Sequence, residues 1–68
     1  MKRVPPARRA VVRAADAYAA ARSALSLARQ QVALDPSRAA MRHVDAAREL
    51  VELRINQLIV AVESAGRE

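Results

Sequence analysis

Cysteine is absent from this chain, and so are phenylalanine and tryptophan. Without cysteine there is no disulfide and no thiolate metal ligand. The single histidine, His43, excludes a histidine-rich metal site within one chain. Tyr18 is the lone aromatic residue. Neither a deep aromatic-lined pocket nor a row of base-stacking platforms can be built from it. Gly66 is the one glycine, which excludes a glycine-rich phosphate loop. No uninterrupted apolar run approaches the roughly 18 residues a membrane span needs. The basic residues at the start are not followed by an apolar segment of signal-peptide type, so the expectation is a cytoplasmic protein.

At 68 residues the chain makes one small domain. A chain this short rarely buries enough apolar surface to be stable unaided. Disulfides and metals are excluded, so association with another copy or with a partner helix is the expected remedy.

What the chain does have is a ladder of small residues. Ala7, Ala10, Ala14, Ala17, Ala21, Ala24 and Ala28 recur at alternating steps of three and four. A second series, Val4, Val11, Tyr18, Leu25 and Val32, recurs at every seventh position. Together they form a heptad pattern with small residues beside large ones. Alanine at a seam lets a facing helix approach closely. The packing seam is therefore predicted at Val11, Ala14, Ala17 and Tyr18, continuing through Ala21, Leu25, Ala28 and Val32.

The helix boundaries are punctuated. Residues 1–6 form a basic lead-in, with Pro5 and Pro6 suited to a helix start. Good helix formers then continue over residues 7–34. Asp35-Pro36-Ser37 is a turn, in which Asp35 is expected to cap the next helix and Pro36 to occupy its first position. A second helix is predicted over 38–65, with Gly66 as its stop and 66–68 as a tail. So short a connection makes the helices antiparallel neighbours. The predicted fold is an all-α, antiparallel two-helix hairpin that dimerises into a four-helix bundle or docks on partner helices. Val32 should face Ala39 or Ala40, Leu25 face Ala46 or Ala47, Tyr18 face Leu53 or Arg54, and Val11 face Val60. This pairing sets Arg54 to stack on the Tyr18 ring.

The second helix carries more apolar surface than one neighbour can cover. One stripe is Val44, Ala47, Val51, Ile55, Leu58 and Val62, and another is Ala46, Leu50, Leu53 and Val60. Their centres lie about 140° apart at 100° per residue. Leu50, Leu53, Leu58 and Val60 are the predicted partner interface, since an apolar patch left in water marks a contact surface.

Charge is unevenly divided. Residues 1–35 carry seven basic and two acidic side chains, and residues 36–68 carry five of each. The whole net charge of +5 therefore sits in the first half. Lys2, Arg3, Arg8, Arg9 and Arg13 cluster at a helix start and are the candidate contacts to an anion or to nucleic acid. No cofactor, metal site or catalytic residue is predicted. Ser37, His43 and Asp45 lie on one short helical stretch, and a hairpin has no cleft to hold an acid and a base.

In length, single tight turn and small/large heptad packing the chain resembles hairpins of the Rop type, plasmid RNA-binding proteins whose hairpins dimerise into four-helix bundles. Its size and proline-containing turn also resemble small hairpin chaperones and needle subunits of type III secretion. The second apolar face of the second helix, rather than these likenesses, predicts a non-enzymatic association module, such as an assembly subunit, adaptor or small chaperone. The Rop-type likeness implies as an alternative a regulator that binds nucleic acid through the basic first helix.

Overall fold

Residues from Ala7 onward contain no helix breaker until Pro36, and none follows Pro36 before the C-terminus except Gly66. The chain accordingly folds as two helices. The computed structural model describes residues 5–67, with α1 spanning Pro6–Leu34 and α2 spanning Arg38–Gly66. They pack side by side as an antiparallel hairpin. Each has 29 residues, or about 43 Å of helix.

Pro6 opens α1 at a position where its missing N–H costs nothing. The Pro5 carbonyl accepts from the Arg9 N–H at 3.1 Å. At the turn the structure departs from expectation. Ser37, not Asp35, caps α2: its Oγ accepts from the Ala40 N–H at 3.1 Å. Asp35 instead closes α1, its backbone N–H donating to the Gln31 carbonyl at 2.8 Å. Pro36 thus precedes the cap rather than following it. An N-cap side chain serves an N–H two or three residues further on, and Ser37 does so for Ala40, the third residue of α2. Gly66 is the last residue of α2, and no described residue has a positive φ. The helix ends there without a left-handed glycine.

The two helices meet along a strict alternation of four- and three-residue steps. On α1 the half-buried or buried positions include Ala7, Val11, Ala14, Tyr18, Ala21, Leu25, Ala28 and Val32. On α2 they are Ala40, Val44, Ala47, Val51, Arg54, Leu58, Ala61 and Ala65. Ala7 and Ala65 line one shallow depression at the open end, and Val51 lies with Tyr18 and Leu25 in another. This register sets small against large in most layers: Val11 with Ala61, Ala14 with Leu58, Ala21 with Val51, Leu25 with Ala47, Ala28 with Val44, and Val32 with Ala40. Tyr18 level with Arg54 and Ala7 beside Ala65 are the exceptions. One side chain fills the space its partner leaves, so the backbones can approach closely.

Ile55 and Val62, placed by the pattern on the inner stripe, are 37% and 51% exposed. Their seam positions are taken by Arg54 and Ala61. A straight helix drifts about 20° per heptad away from a 3.5-residue seam, and supercoiling removes that drift. The stripe extrapolated with straight-helix geometry therefore slid off the contact in the second half of α2.

The fully buried core is minimal. Among the described residues only Ala21, Ala28 and Ala47 are buried, at 4%, 1% and 9% exposure. The molecule measures 50 × 23 × 12 Å, a slab about one helix diameter deep. Its radius of gyration is 15.6 Å, against about 11 Å for a compact domain of this length. Both broad faces of the slab are therefore surface.

Candidate helix-docking interface

Residues one place before each seam position lie on the same broad face of the hairpin from both helices, because in an antiparallel pair equivalent flanks adjoin. This face carries Ala10, Arg13, Ala17, Ala20, Ala24 and Leu27 from α1. From α2 it carries Ala46, Leu50, Leu53, Gln57 and Val60, with Ala39, His43 and Ser64 toward the ends. Among the described residues Arg13 is its one arginine and no acidic residue falls on it, so this face is nearly uncharged. A depression on its α2 half is almost wholly apolar, lined by Leu53, Asn56, Gln57, Val60 and Ala61.

Residues one place after the seam form the opposite face. There Arg8, Arg22 and Arg29 of α1 adjoin Asp45, Arg48 and Glu52 of α2. Its middle holds a polar groove lined by Tyr18, Arg22, Leu25, Ser26, Arg29 and Val51. The guanidinium over the Tyr18 ring is that of Arg22, 5.8 Å from the centroid, and not that of Arg54. Arg22 lies four residues on from Tyr18 along the same helix face, within direct reach. Arg54 turns along its own helix, and its Nη1 donates to Gln57 Oε1 at 2.8 Å.

The predicted partner residues separate in the structure. Leu50, Leu53 and Val60 are exposed together on the uncharged face, the latter two at 50% and 60%. Leu58 is half-buried at a seam position level with Ala14. Of the predicted α1 seam, Ala17 is half-buried at the border of the uncharged face. Ala10 and Ala24 are exposed, so the alanine ladder is really two ladders. Ala7, Ala14, Ala21 and Ala28 face α2, while Ala10, Ala17 and Ala24 flank it. The signal for this division was present in the sequence, since the inner set sits four residues before each large seam residue of α1 and the outer set only one before.

Arg8, Arg9 and Arg13 lie on the first turns of α1, and Arg9 and Arg13 share a depression with Pro6 and Ala10. Lys2 and Arg3 lie outside the described residues. Arg8 also adjoins Ala65 at the C-terminal end of α2. The partial negative charge of that helix end favours a cation beside it.

Among the described residues, no three His, Asp or Glu side chains approach closely enough to hold a metal ion. No described helix is long and apolar enough to cross a membrane. The chain matches no family model, no curated protein and no solved structure among those compared with it.

Proposed function

We propose that this protein is a non-enzymatic helical association module that buries the uncharged face of the hairpin against partner helices. One observation carries the reading. Among the described residues the fully buried core consists of three alanines, while Leu50, Leu53 and Val60 stand exposed together on that face. Burying a large aliphatic side chain contributes about 1.5–3 kcal/mol, so the main reserve of apolar stabilisation lies outside the hairpin. An assembly subunit, adaptor or small chaperone uses such a face. The direct test replaces Leu50 and Leu53 together by Glu. Solution mass and helicity should both fall at concentrations where the unaltered chain is assembled. If both survive the double change, the proposed face is wrong.

A second reading rests on the depression lined by Pro6, Arg9, Ala10 and Arg13, where two arginines of the first turns of α1 come together. Here α1 would hold the phosphates of folded nucleic acid through Arg8, Arg9 and Arg13, with Lys2 and Arg3 adding charge. Affinity would then fall steeply with salt. Binding that persists after these arginines become Gln removes this reading.

A further inference from the structure

The chain's accessible surface is 5659 Å². A compact folded monomer of 7.4 kDa exposes about 4,200 Å². The excess is about 1,450 Å², more than the roughly 800 Å² each partner buries in a standard stable interface. A second observation concerns which partner fits. The uncharged face has two unlike halves. Its α1 half is low at Ala10, Ala17, Ala20 and Ala24, interrupted by Arg13 and the exposed Leu27, and its α2 half is raised at Leu50, Leu53 and Val60. Low beside high on one face is self-complementary under a two-fold rotation, because the raised half of one copy then lies over the low half of the other.

We infer that the occupant of this face is a second copy of the same chain, docked with its two-fold axis along the helices and both turns at the same end. The inference rests on the association reading above. The arrangement sets α1 of each copy against α2 of the other, antiparallel, and so every neighbouring helix pair in the resulting four-helix bundle is antiparallel. The register of the hairpin carries across the axis. Val60 of one copy meets Ala10 of the other, Leu53 meets Ala17, and Leu50 meets Ala20. These are the same small-against-large layers that close the seam within one chain. Arg13 falls beside Gln57, so no like charges meet. On the opposite face the same operation sets Arg22 of one copy against Glu52 of the other and Arg29 against Asp45, so docking there would have to desolvate charged groups that the first face largely lacks.

The arrangement is tested by disulfide trapping, which the absence of native cysteine makes clean. Ala24→Cys and Ala46→Cys are prepared as two single variants of the full chain. Both sites are exposed alanines on the uncharged face, and both changes are small. Each is oxidised alone and then mixed with the other, beside light scattering on the unaltered chain. The expected result is a dimer mass and a covalent dimer in the mixture alone. Rapid cross-linking of either variant by itself places like helices together and overturns the orientation. A monomer of low helicity overturns self-docking but leaves the need for a foreign helix in place. A fully helical, cooperatively melting monomer overturns both this inference and the association reading.

Discussion

The two broad faces of the hairpin differ although the same two helices build them. Among the described residues the face preceding the seam carries one arginine and no acid, while the face following it carries Arg8, Arg22, Arg29, Asp45, Arg48 and Glu52. Both have exposed aliphatic side chains. Leu50, Leu53 and Val60 stand on the first, and Ile55, Ile59 and Val62 on the second. Counting exposed hydrophobes therefore does not identify an interface. The distribution of charge around them separates the two faces, because every charge trapped in a contact must be desolvated and paired.

The largest expected effect comes from a matched pair of double variants. Leu50→Glu with Leu53→Glu removes two side chains worth about 1.5–3 kcal/mol each when buried. The dissociation constant should rise by at least a hundredfold, read by sedimentation across a dilution series. Ile55→Glu with Ile59→Glu, on the opposite face, should change it less than tenfold. Equal effects would erase the distinction between the faces, and a reversed order would move the interface to the charged side.

A smaller effect is expected within the seam. Ala28 is 1% exposed and level with Val44. Ala28→Leu overpacks that layer and should cost about 1–3 kcal/mol in denaturant unfolding. The same change at Ala24, on the uncharged face, should spare the hairpin's internal packing. Its effect should appear in assembly, and this difference separates the two ladders experimentally.

Next in size is the turn. Ser37→Ala removes the bond to the Ala40 N–H and should destabilise by about 1 kcal/mol. Asp35→Ala, whose side chain does not cap α2, should change stability by less than about 0.5 kcal/mol. A larger loss at Asp35 than at Ser37 would return the cap to the aspartate.

The smallest effect is expected for Arg22→Gln with Arg29→Gln on the charged face. Mass should be unchanged and stability should move by no more than about 0.5 kcal/mol. A clear loss of assembly would show that the arginines, rather than the leucines, join the copies.

Much of this was legible in the residues. The alternation of Ala7, Val11, Ala14 and Tyr18 in steps of four and three specifies a helix with one inner edge. Pro36 divides two helices of equal length, and the short connection makes them antiparallel. Leu50, Leu53 and Val60 were recognisable as surplus apolar surface. Leu58 was misplaced among them, and Ile55 and Val62 were placed inside. The error at Ile55 and Val62 has a geometric cause, a straight 3.6-residue helix projected where the seam repeats every 3.5 residues. Leu58, by contrast, already stood in the stripe of Val44 and Val51, and its seam place was in the pattern. The partner of the Tyr18 ring was also missed, since Arg22 on the same helix reaches the ring as readily as any residue across the seam.

By itself the sequence determined the helices, their break, their antiparallel pairing and the exclusion of disulfide, thiolate and glycine-loop chemistry. These follow from local propensity and from a periodicity that any isolated segment already displays. Tertiary structure alone decided which alanines turn inward, which side chain caps α2, and how the remaining surface divides into a charged and an uncharged face. It also set Arg8 beside the C-terminal end of α2, where α1's basic start finds the partial negative charge that its own N-terminus lacks. Each of these depends on the winding and register of one helix against the other, a relation between segments that no single stretch of chain contains.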